Sequence, residues 1–105
     1  MTKAKFFEHG GKVCGFLIEG HSTKDAKDDE GRALCAAVSS AAYMAANTVT
    51  EIAGDSAGAE VSDGRMLFKV ENPGEITAAV LGGLKLHLSE LSKQYGKRLK
   101  IITEE

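Results

Sequence analysis

A chain of 105 residues, 43% hydrophobic and 27% charged, has the length and composition of a single soluble domain with one modest core. Its formal net charge of −2, with Lys and Arg dispersed, offers no footprint for direct nucleic-acid binding, and no apolar run approaches the roughly 18 residues of a membrane span. Met1-Thr2-Lys3-Ala4-Lys5-Phe6-Phe7 lacks the apolar core of a signal peptide, so a cytoplasmic chain with both cysteines reduced is expected.

Residues 3–9 and 12–19 read as two strands joined at Gly10-Gly11, where paired glycines admit the positive φ angles of a two-residue hairpin turn. In the second strand Cys14, Phe16 and Ile18 alternate onto one face, and Val13, Gly15 and Leu17 onto the other. Both faces are largely apolar. That puts the strand inside the sheet and Cys14 in the core.

Residues 20–31 form a polar loop in which Asp25, Asp28, Asp29 and Glu30 are set against Lys24 and Lys27. With Ala26 as its only apolar anchor, this loop is expected to be mobile and functional. From residue 32 to 53 the pattern is helical: Leu34, Val38, Ala41, Ala45, Val49 and Ile52 recur at three- and four-residue steps, alanines permit close packing, and Gly54 is a stop.

Residues 59–61 and 66–70 read as a second hairpin around Asp63-Gly64, and Asn72-Pro73-Gly74 breaks the chain. A second helix over 75–95 carries Ile76, Val80, Leu84, Leu88, Leu91 and Tyr95 along one stripe. Gly82-Gly83 in its middle costs up to about 2 kcal/mol relative to alanines, which a close contact across a subunit interface would offset. Gly96 ends the helix, and residues 98–102 form a last short strand. The order β-β-α-β-β-α-β predicts an α+β fold: one antiparallel or mixed sheet with two packed helices, as a single domain over residues 1–105.

Chemistry concentrates between strand and helix. His21 and Cys35 stand fourteen residues apart, one at the end of a strand and the other near the start of a helix. A thiol attacks as thiolate, which a nearby imidazole and a helix N-terminus both favour. If Gly31 caps the helix, Cys35 closes the first turn and feels the dipole; if Asp29 caps it, that help fades and activation rests on His21. His21 would take the thiol proton and return it to the leaving amine. Asp25, Asp28 and Asp29 are near enough in sequence to orient it, although each also suits a solvated loop or a cap. Ser39, one turn after Cys35 on the same face, is placed to bond substrate or its own helix. A lone cysteine in such a helix is ordinarily a small buried hydrophobe, so the pair carries the argument rather than either member. His9 and His87 read as solvated. There is no zinc-ligand spacing and no phosphate-cradling loop, so no cofactor is expected.

Gly20-His21, Gly31 shortly before the cysteine, and Cys35-Ala36-Ala37-Val38-Ser39 together resemble the ribosomal-processing cysteine protease family, Prp. Gln94-Tyr95-Gly96-Lys97-Arg98-Leu99-Lys100-Ile101 is similar to the family's closing Tyr-Gly segment, so the likeness covers nearly the whole chain. The resemblance implies a homodimeric endopeptidase that removes a short N-terminal extension from a large-subunit ribosomal protein, cutting after aromatic residues. It implies His21 as general base and proton donor, Cys35 as nucleophile, Gly20 and Ser39 as supporting residues, a substrate-responsive loop at 22–31 and an apolar groove beside Cys35.

Three positions depart from the family pattern. Arg32 stands where an aspartate is usual, the His-to-Cys spacing is about two residues longer, and Ser22 replaces an alanine. A cation at Arg32 would still favour a thiolate. The competing readings are a non-catalytic ribosome-associated peptide-binding module that kept the groove, and a redox-sensing thiol, which lacks a resolving cysteine nearby in sequence.

Overall fold

The structure, a computed structural model, describes residues 1–20 and 25–105. In chain order the elements are β1 (Thr2–His9), β2 (Lys12–Glu19), α1 (Asp29–Asn47) with a π-helical continuation (Thr48–Ile52), β3 (Ala57–Ser62), β4 (Arg65–Val70), α2 (Glu75–Tyr95), a 3-10 turn (Gly96–Arg98) and β5 (Leu99–Glu104). The expected β-β-α-β-β-α-β order is thus observed, and the helix over 75–95 has the expected bounds.

The strands form one mixed sheet in the order β3-β4-β2-β1-β5. β1 and β2 are antiparallel across Gly10 and Gly11, whose φ angles of 60° and 79° make the turn. β2 also pairs antiparallel with β4, and β4 with β3, while β5 runs parallel to β1. It follows that β2 and β3 point the same way, as do β4 and β5, and each helix is a crossover between parallel strands. The two crossovers move in opposite directions along the sheet and join strands of opposite sense. Right-handed connections therefore put both helices on one face.

The core lies between that face and the helices. Phe6, Phe16 and Phe68 sit in register on β1, β2 and β4, with ring centroids 6.3 and 5.4 Å apart. Leu34, Val38, Val49, Leu81, Leu84 and Leu88 close over them from the helices, and the small Ala42, Ala45 and Ala46 let α1 come close.

Three sequence expectations need correction. The register of β1 on β2 jumps from Phe7↔Gly15 to Glu8↔Val13, which leaves Cys14 as the extra residue of a bulge. Alternation flips there: Val13 takes the core position, and Cys14 is half-buried with its thiol donating to the Phe7 carbonyl at 3.4 Å. In α2 the buried residues are Thr77, Leu81, Leu84 and Leu88, which span only about 60° of helix circumference, while Ile76 is 64% exposed. In α1 the π-helical turn shifts the phase, so that Ile52 ends up exposed instead of completing the stripe.

Candidate active site

The start of α1 is set by Asp28, whose carboxylate accepts from the Gly31 N–H at 3.1 Å as the N-cap. Its other oxygen receives Arg98 Nη1 at 2.6 Å, so the cap is also tied to the 3-10 turn before β5. Asp28 raises the Arg98 guanidinium further above its ordinary value, chiefly through this hydrogen bond. The cap is therefore neither Gly31 nor Asp29. Cys35 lies seven positions beyond Asp28, at the end of the second turn, where the macrodipole has little hold on its sulfur.

Arg32 does not take up a place beside the thiol. Its side chain is 62% exposed, donates to the Ala26 carbonyl at 3.2 Å and lies 3.8 Å from Asp29. Asp25 accepts from the Lys27 N–H at 2.9 Å. The acids nearest in sequence to His21 thus take part in loop and cap contacts.

Cys35 is half-buried in the wall of a pocket of about 230 Å³. Three groups of residues build that wall. Along α1, Cys35, Ser39 and Tyr43 follow at i, i+4 and i+8, so one helical face presents thiol, hydroxyl and aromatic ring in line. Ile18 and Met66, paired across β2 and β4, make an apolar floor. The β3–β4 hairpin supplies the far side, from Val61 through Arg65. Among the described residues the exposed Ser39 hydroxyl takes no bond back to its own helix, unlike Thr48, Thr50 and Ser89.

Gly20 also lines this pocket. Its φ is +94°, its N–H donates to the Gly64 carbonyl at 2.9 Å, and an added Cβ would stand 2.4 Å from the Met1 carbonyl oxygen. Only glycine fits there. The structure therefore brings together Cys35, Ser39 and Gly20 of the sequence-predicted site. His21, with residues 22–24 of the loop expected to be mobile, falls outside the described residues. An apolar groove beside Cys35 is expected from the resemblance, but not the residues that line it, Ile18, Met66 and the hairpin side with Asp63 and Arg65; nothing local in the sequence marks them, because they reach Cys35 only through the sheet order.

The N–H groups at the helix start are not placed to serve as an oxyanion site. Gly31 N–H is taken by the Asp28 carboxylate and Arg32 N–H by the Asp28 carbonyl. The N–H groups of Asp29 and Glu30 are roughly 8 Å up the helix axis from Cys35 at 1.5 Å per residue.

A family model described as cysteine protease Prp matches residues 1–100. The chain belongs to the Prp family. Its enzyme class is accordingly that of a cysteine protease, and the thiol in the pocket suits that chemistry. No curated protein sequence matches it. Among solved structures it is similar to an essential ribosomal processing protease Prp from S. aureus in complex with a covalently linked product peptide: TM-score 0.87, 15% identity, 99% of this chain and 100% of that one. The S. aureus protein in complex with a substrate peptide gives a TM-score of 0.86 at 14% identity, with the same coverage. SMU.848 from Streptococcus mutans gives 0.83 at 18%, covering 99% of this chain and 96% of that one. At these identities the likeness concerns the Prp fold, which is shared from end to end.

Proposed function

We propose that the chain is a cysteine endopeptidase that removes the N-terminal extension of a large-subunit ribosomal protein, with Cys35 as nucleophile and His21 as general base and proton donor. The observation that carries this is the Cys35 thiol set in an apolar-floored pocket of a Prp-family chain. The S. aureus relatives, described as ribosomal processing proteases and holding product and substrate peptides, support the substrate class. Gly20, in the pocket wall immediately before His21, supports the pairing.

In this mechanism His21 takes the Cys35 proton and the thiolate adds to the scissile carbonyl. The tetrahedral oxyanion collapses to a thioester as the imidazolium protonates the departing amine. His21 then activates water, which hydrolyses the thioester and frees the thiol. Ser39, one turn along the same helical face, donates to substrate or oxyanion. The mechanism calls for no cofactor, and the net charge of −2 favours a protein rather than a nucleic-acid partner.

A cytoplasmic homodimer completes the proposal. Its support is the outer face of α2, where Ile76, Ala79, Gly83 and Leu86 are exposed and, among the described residues, no other element comes within 4 Å of where a Cβ would stand on Gly82 or Gly83.

The test is incubation with a synthetic peptide carrying the ribosomal-protein extension, followed by mass spectrometry. A single internal cut is expected, lost at least roughly a thousandfold in Cys35→Ala. Binding without a cut, equal in both proteins, would instead favour the non-catalytic peptide-binding module, the reading that Arg32 at the family's aspartate position brings forward.

A further inference from the structure

The free edge of the sheet beside the pocket is unusually bare. Among the described residues β3 pairs only with β4, through Ala57↔Val70 to Ser62↔Arg65 without a bulge. In an antiparallel pair alternate residues turn their N–H and C=O groups to the far side, so half of β3 offers backbone donors and acceptors outward. Edge strands are normally guarded by proline, lysine or a bulge. Ala57-Gly58-Ala59-Glu60-Val61-Ser62 has none of these; Glu60 is its one charged residue, and its first three side chains are too small to obstruct a neighbour.

The helix layer also stops short of this strand. Ala59 and Val61 oppose Phe68 and Met66, which face the core. Yet Ala59 is exposed and Val61 is 55% exposed, whereas Phe68 and Met66 are buried. A small apolar ledge results, and it is continuous with the pocket: Val61 and Ser62, at the end of β3, line the same wall system as Cys35.

We infer that the peptide substrate docks as an added strand along the free edge of β3, with its end beside Ser62 entering the Cys35 pocket. The occupant is an extended peptide because the pocket at the strand's end is where a scissile bond must arrive. Main-chain hydrogen bonds to β3 then hold the peptide in register, and every second side chain turns over the Ala59–Val61 ledge. This rests on the proteolytic reading above and adds to it the mode of recognition.

The test uses the same extension peptide. A scan of single N-methylations along its backbone removes one donor at a time. An added strand predicts that kcat/KM falls about tenfold at alternate positions and little at those between. With Cys35→Ala and intact peptide, amide exchange followed by NMR is expected to slow at alternate residues of β3. Cleavage with no two-residue period and no change in β3 exchange would overturn this inference and leave the protease reading standing. Failure to cut the unmethylated peptide would overturn both. β3 protection that grows with protein concentration in the absence of peptide would assign the edge to a second copy and overturn the inference.

Discussion

Gly20 combines a left-handed backbone, a hydrogen bond to the second hairpin and a carbonyl 2.4 Å from where a Cβ would stand. Gly20→Ala is therefore expected to cost about 1–3 kcal/mol, read by urea unfolding, and to move the pocket wall at the end of β2. Peptide cleavage should fall by more than the unfolded fraction accounts for; an activity loss equal to that fraction would confine Gly20 to folding. Cys35 and Ser39 were legible as a pair because i, i+4 spacing on a helix fixes their shared face from sequence alone. The role of Arg32 was not. Its guanidinium reaches back to Ala26, a contact that depends on how the preceding loop folds over the helix start.

At the scale of elements, the ends of both helices are held by acids. Asp28 caps α1 and pairs with Arg98, so Asp28→Ala should cost about 1 kcal/mol for the cap alone, measured by urea denaturation. Arg98→Ala should lose less, since the cap survives it. α2 begins at Gly74, which has no side chain to cap with; Asp55, from the turn after α1, accepts the Gly74 N–H at 3.0 Å instead. The Asp55 carboxyl is held below its usual value by the neighbouring Thr77 hydroxyl and by Gly74, and of the two only Gly74 stands in hydrogen-bonding geometry.

A folded-state value below the unfolded one means that Asp55 contributes stability above about pH 4, and that this contribution is lost as pH falls through the folded value. Wild type should thus melt above Asp55→Ala at neutral pH, and the gap should close on acidification. A gap that stays constant from pH 7 to 3 would remove the carboxylate from the account.

For the whole molecule, two right-handed crossovers running in opposite directions leave one sheet face under helices and one edge strand, β3, outside them. That asymmetry creates the pocket and the ledge together. The exposed Ile76–Leu86 face of α2 belongs to this scale too. Leu86→Glu is expected to turn a dimer into a monomer by light scattering with little change in monomer stability, because Leu86 is 64% exposed. A wild-type protein already monomeric at assay concentration would remove the dimer.

Turns, the bounds of the second helix and the thiol's helical face could be read from residues in order, since glycine pairs and 3.6-residue periodicity act within a few positions of the chain; the first helix starts three residues before its expected position. The α+β order and the family likeness followed from the same local signals. Parallel pairing of β5 with β1, the bulge that turned Cys14 outward, the cap at Asp28 and the hairpin wall opposite Cys35 were settled only by tertiary structure. The β5 pairing and the hairpin wall depend on partners far apart in sequence, and Arg98, seventy residues on, holds the Asp28 cap in place; the bulge lies within one hairpin, where ladder register outweighs simple alternation.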